Sequence, residues 1–491
     1  MGQSVPPTQH LGYPPPVDPY EPYPLYQDQQ AYGYAPGDTL LGPPLPPRRR
    51  RRRTLFIALG AVVALLLSGA AIAGAAVWYG WGVTEPEDVL PGSSIAFARV
   101  DLSPGLGQAL ALQNLARKFP PRPGGEDVVA QAEENLTHEL LAPLDFTTDV
   151  KPWLGDRLGA ALWSPGGSAT CTLTALASTD DAKAGAALAR VSGITYAFSR
   201  GYAVLARCDH GGSVISALAA ATQQTLGAHP AFAQAKGQLP GGQAMLAWAD
   251  GSQYRSVAPA SGTDLNGATV LVGVKATNAG LELRARIHST SDTTDTVAAD
   301  ALSQLDSLPG GSVVGLSADL RGARALSGDV TNALDDLLRE THGGLTDLER
   351  FVHDLAGSTV SLSLVDPASP ATKLLIEAAD GTSAADLAGV LRRDLGSADR
   401  GISVTGNTVS MTSPHYQGGS GRLDDDPSYR AAMADPPANV ILAGYANLTD
   451  LGASMKLGAD QAAQLRPIQA IGFSLGTDHG SAELRLRVVI P

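Results

Sequence analysis

Glu282-Leu283-Arg284-Ala285-Arg286-Ile287 and Glu483-Leu484-Arg485-Leu486-Arg487-Val488 are one hexapeptide pattern written twice, 201 residues apart. Charged and apolar side chains alternate in both. A period of two places the apolar set on one face of a β-strand and the charged set on the other. The apolar face is expected to be buried and the charged face wet. Val270 to Ala276 runs just ahead of the first copy and turns through Asn278-Ala279-Gly280, which predicts an antiparallel hairpin closing a unit.

Three further pairs keep the same order. Leu90-Pro91-Gly92-Ser93-Ser94, leading to Asp101-Leu102, returns as Leu308-Pro309-Gly310-Gly311-Ser312, leading to Asp319-Leu320. Thr170-Cys171-Thr172-Leu173 returns as Thr372-Lys373-Leu374-Leu375. His229-Pro230-Ala231-Phe232 returns as Asp426-Pro427-Ser428-Tyr429, each followed by an aromatic strand around Trp248 or Tyr445. Four anchors in one order predict a tandem duplication, with copies at 90–290 and 291–491. Within a copy, strands such as 95–100, 170–177 and 202–207 alternate with short helices such as 181–191 and 214–226. A further amphipathic helix is expected from Val128, Val129, Ala132, Leu136 and Leu140. The expected fold class is α+β: two duplicated units with mostly antiparallel sheets.

The first 89 residues are unlike the rest. Residues 1–53 hold 13 of the 34 Pro and end in six arginines, Arg48 to Arg53. Such a stretch buries too little apolar surface to fold, so a disordered cytoplasmic tail is expected. Its Pro/Tyr-rich runs make it a spacer or a docking segment for a cytoplasmic partner. Residues 54–81 carry no charge and end in Trp78, Tyr79 and Trp81. They are expected to form one transmembrane signal anchor with the N-terminus inside, followed by a linker at 82–89. The copies would then lie outside the cytoplasm, in a single-pass protein of the cell membrane.

The chain carries 35 Lys+Arg against 48 Asp+Glu, a net charge of −13, and only 17% charged residues with 2 Cys. These values exclude a basic nucleic-acid binder, a disulfide-dense mini-domain and a polytopic membrane protein. Removing the six arginines and the tail's four acids leaves 29 basic and 44 acidic side chains, or −15. A ligand that is not strongly anionic is expected. No phosphate-binding loop, nucleophile elbow, HExxH or CxxC occurs, so no cofactor, metal or catalytic residue is assigned. Asp424-Asp425-Asp426 fits a helix cap at Pro427 better than a metal cluster.

Trp153-Leu154-Gly155-Asp156-Arg157 is the most distinctive string. Trp153 aligns with an aliphatic residue of the second copy, which gives it a packing role. Asp156 and Arg157 have no counterpart there and are the ligand-site candidates. Cys171 opens one expected strand and Cys208 closes another, so antiparallel pairing would join them in a disulfide.

Ala96-Phe97-Ala98-Arg99-Val100-Asp101-Leu102, Lys118-Phe119-Pro120 and Pro152-Trp153-Leu154-Gly155-Asp156-Arg157 resemble domain-of-unknown-function family 3352. The resemblance covers most of the chain beyond residue 82. It implies a membrane-anchored envelope protein and no particular activity. The expected function is therefore a non-enzymatic domain that binds a ligand or a partner, with its site between the two copies. The alternative is a hydrolase or transferase built from Asp156, Arg157 and either His210 or His229.

Overall fold

The computed structural model describes residues 84–491, apart from 102–104, 121–140, 167–168, 210–211, 254–267, 289–298, 322–354, 356, 367–370, 395–400, 417–420, 455–458 and 479–480. The expected tail at 1–53, the apolar run at 54–81 and the helix around Val128 to Leu140 lie outside the described residues.

The first half contributes β1 (Ser94–Asp101), β2 (Leu154–Gly166), β3 (Ala169–Ser178), β4 (Thr195–Ser199), β5 (Tyr202–Cys208), β6 (Met245–Asp250), β7 (Thr269–Thr277) and β8 (Gly280–His288). The second contributes β9 (Val314–Asp319), β10 (Thr359–Asp366), β11 (Ala371–Glu377), β12 (Gly401–Thr405), β13 (Thr408–Thr412), β14 (Val440–Asn447), β15 (Ala470–Asp478) and β16 (Ser481–Val489). All lie in one sheet, in the order β12-β13-β11-β10-β9-β14-β15-β16-β8-β7-β6-β1-β2-β3-β5-β4. Read outward from the β8/β16 seam, the two halves have the same strand order. The seam is antiparallel, from Gly280 opposite Val489 to His288 opposite Ser481, with Arg284 opposite Arg485 at its centre. A local two-fold therefore passes between those two arginines.

This corrects the expected fold class. In place of two α+β units with separate sheets there is one large antiparallel sheet. A half ending at β8 or β16 would expose a row of unpaired N–H and C=O groups. Pairing the two edges satisfies both rows. The expected transmembrane helix has no counterpart among the described residues. Among the described residues, no helix is long and apolar enough to cross a membrane. The 14-residue helix Gly381–Asp394 ends in Arg392 and Arg393, against the ~20 apolar residues a span needs.

Helices α1 (Gly105–Ala116), α2 (Asp181–Leu188), α3 (Val214–Gln223), α4 (Pro230–Gly237), α5 (Ala301–Asp306), α6 (Gly381–Asp394) and α7 (Pro427–Ala432) pack on the two faces of the sheet. On the back face, α3 and α4 cover Phe97, Trp163, Leu173, Val204, Leu246 and Trp248. There α5 and α7 cover Ala443, Tyr445 and Ala470. The recurring His-Pro and Asp-Pro strings explain this symmetry. Pro230 and Pro427 start α4 and α7 at the first turn, where a missing N–H costs nothing. Each helix then drives one aromatic onto a strand. Phe232 meets Trp248 edge-on at 5.6 Å, and Tyr429 meets Tyr445 at 5.2 Å. Asp426 caps α7 by accepting from Ser428 N at 2.7 Å. On the front face, α1 packs on β7 and β8, α2 on β3 and β5, and α6 on β11 and β13.

The charged rows of β8 and β16 are not wet. Glu282 and Glu483 are 6% and 2% exposed, on the back face. There each carboxylate holds an arginine of its own strand and one of the other strand. The alternation set the strand and its two faces, but not the second layer that covers the charged one.

Cys171 stands opposite Cys208 in the β3/β5 register, and the two form a disulfide. The bridge closes a loop at a sequence separation of 37. Replacing both by Ala should destabilise the protein by about 3–4 kcal/mol in the chain-entropy account. Urea melts of the oxidised protein and the double variant measure this, and midpoints that coincide would contradict it.

Candidate functional site

The front face carries a hollow because β1 alternates small with large. Ala96 and Ala98 face front, while Ile95 and Phe97 face back and are buried. The register extends the small set sideways. Ala98 lies between Ala160 and Ala247, and Ala96 between Leu162 and Ala249. Val272 and Val270 flank Ala247 and Ala249 on the next strand. Five alanines thus floor a depression with Leu162 and Thr172 at one end and the two valines at the other. Its volume is about 330 Å³, within the usual range for small-molecule sites. α1 and α2 cover the sheet to either side. Every lining residue except Thr172 is apolar, and none is titratable. This hollow lies wholly within the first half and not between the two copies.

Asp156 and Arg157 are elsewhere. The β2 ladder is irregular between Leu154 and Leu158, and Arg157 pairs with Asp101 across β1. Its guanidinium reaches Glu85 at 3.5 Å and Asp101 at 3.6 Å on the back face. Burial pulls Arg157 down, but Glu85, Asp101 and Asp156 outweigh it and hold the guanidinium above its ordinary pKa. Beside it, Arg99 Nη1 donates to Glu85 at 2.5 Å and to Glu87 at 2.8 Å, and Lys236 Nζ donates to Glu87 at 2.8 Å. Tyr202 Oη donates to Thr84 O at 2.7 Å, and burial pushes that phenol well above its usual range. This nest of charges pins residues 84–88 beneath the sheet. It is a structural clamp, and it holds Arg157 as one of its members.

Of the residues named for the enzyme alternative, Arg157 is held by Glu85 and Asp101 while His229 packs against Trp248. His229 stands at the N-cap position of α4 without a side-chain capping bond and meets the Trp248 ring edge-on at 6.0 Å, its buried Nδ1 without a hydrogen-bond partner among the described residues. His210 lies outside the described residues. Trp153 is buried and donates from Nε1 to Asp149 O at 2.6 Å.

The sequence reading missed Glu85, Glu87, Arg99 and Lys236, and it missed the hollow. For the clamp, the available signal was two acids around Pro86 ahead of a strand bearing a mid-strand arginine. For the hollow, it was the Ala-Phe-Ala alternation of β1.

No family model and no curated protein matches the chain. A solved structure described as crystal form I of TP0453 is similar over 43% of this chain and 81% of that one, at 9% identity and a TM-score of 0.22.

Proposed function

We propose that this protein is a non-catalytic binding module that receives an apolar ligand in the alanine-floored hollow of the first half. The observation that carries this reading is the composition of the wall. An apolar depression without a charge offers burial to a hydrocarbon surface and nothing to activate a bond. The Cys171–Cys208 disulfide supports an oxidising setting outside the cytoplasm. The family resemblance of the strand β1 region agrees with an envelope location.

The test uses an uncharged fluorophore that brightens in apolar surroundings, such as N-phenylnaphthylamine, titrated against the full-length chain. Ala98→Trp places an indole on the exposed floor, where an aromatic residue suits a strand. The variant should keep its melting temperature and bind the dye at least about tenfold more weakly, a change of ~1.4 kcal/mol. Equal affinity in the two proteins would remove the hollow as the site.

A further inference from the structure

We propose a second site, for a phosphate-class oxyanion, at the local two-fold on the back face of the β8/β16 seam. Four arginines and two glutamates meet there. Glu282 takes Arg284 Nε with one oxygen and Arg487 Nη2 with the other. Glu483 takes Arg485 Nε and Arg286 Nη2 in the same way. The arrangement is two-fold symmetric, and each carboxylate oxygen that faces the seam is used once. Four guanidinium groups against two carboxylates leave two positive charges. Among the described residues, only the 72%-exposed carboxylate of Asp435 lies close enough to offset one of them, at 3.5 Å from Arg487.

What remains open is specific. Arg286 completes its bonding with Gln238 at 3.1 Å, and Arg487 with Asp435. Arg284 and Arg485 use only Nε. Their terminal amino groups have no acceptor among the described residues, although their side chains are just 18% and 15% exposed. These two residues stand directly opposite each other in the antiparallel register. Opposed side chains of a ladder lie roughly 5 Å apart at Cβ, so two like charges are held close. Like charges directly opposite are unfavourable, and an anion between them reverses the sign of the interaction. The guanidinium fork matches two oxygens of a tetrahedral oxyanion. Two facing forks suit phosphate or a phosphomonoester. The overall charge of −13 gives no general attraction for anions, so affinity would report this locus.

The full-length chain is titrated with inorganic phosphate by calorimetry, against chloride at equal ionic strength. One phosphate per chain is expected, weakened at least about tenfold by Arg284→Gln and equally by Arg485→Gln, as the symmetry requires. Arg284→Lys keeps the charge but not the fork. It should give an intermediate affinity, and it serves as the readout if the Gln variants fail to fold. Arg466→Gln, at an exposed arginine outside the β8/β16 ladder, should bind as the parent does. Vesicles of phosphatidylcholine with and without phosphatidic acid separate the sources. Binding that needs phosphatidic acid and fails in the same variants identifies a lipid headgroup as the carrier of the phosphate. The proposal is overturned by the absence of binding in both arms. It is equally overturned by binding that survives both seam variants, or by an Arg466→Gln loss as large as theirs.

Discussion

Replacing Gly280 by Ala should open the seam between the two halves. Gly280 has φ +142°, a region L-residues rarely adopt, and it faces Val489 at the end of the β8/β16 ladder. An added Cβ would lie 1.8 Å from the Val488 carbonyl oxygen and 3.1 Å from Ile490 N. Both neighbours are backbone, so no rotamer change relieves the clash. Ile490 N donates to Ala279 O at 2.8 Å in the same turn. A loss of at least about 4 kcal/mol is expected, at the upper end for single substitutions. Denaturant melts give the size. Hydrogen exchange gives the place, with β8 and β16 amides losing protection first. A variant within ~1 kcal/mol of the parent would show that the turn has another conformation available.

Glu87→Ala carries the second large effect. Glu87 is 1% exposed and accepts from Arg99 and Lys236, each at 2.8 Å. Arg99 is itself only 11% exposed. Truncating the carboxylate leaves a buried guanidinium with Glu85 as its remaining partner. Removal of one member of a buried pair typically costs ~3–5 kcal/mol. Glu87 Oε2 has no hydrogen-bond partner among the described residues, which argues for the lower end of that range. Replacing Glu87 and Arg99 together by Met should cost less than Glu87→Ala alone, because the buried guanidinium goes too, while Lys236 is 38% exposed and Glu85 keeps Arg157. Urea melts of the two variants decide it. If the double variant is the less stable, the clamp works through packing and not through charge.

The periodicity of Glu282 to Ile287 and of Glu483 to Val488 was enough to read two matching strands and their turn-rich surroundings. It could not show that the strands pair with each other. Local alternation is satisfied equally by an edge and by a seam, and only the cost of an open edge chooses between them. The same limit applies to burial. Arg286 and Arg487 read as solvated because nothing in their own segments mentions Gln238 or Asp435, which arrive from the loops after α4 and α7. Asp156 and Arg157 stood out by composition, and Arg157 belongs to a clamp whose other members, Glu85 and Glu87, sit in a stretch read as linker. The hollow was harder still. Ala160, Ala98 and Ala247 are neighbours only through the registers of β2, β1 and β6, and no single segment holds the floor.

The seam has a consequence for synthesis. β8 leaves the ribosome 201 residues ahead of its partner β16, which at ~5–20 residues per second is a wait of roughly 10–40 s. During that interval the nascent first half presents an unpaired edge whose sequence is its own near-match. The strand that will eventually close it is a copy of itself, related by a two-fold. A β8 strand from a neighbouring nascent chain therefore offers the same register, with Arg284 against Arg284. Glu282 and Arg286 would pair across it as they now pair with Arg487 and Glu483. Intramolecular closure and domain-swapped dimerisation compete for one edge, and the ribosome spacing on a message sets which arrives first.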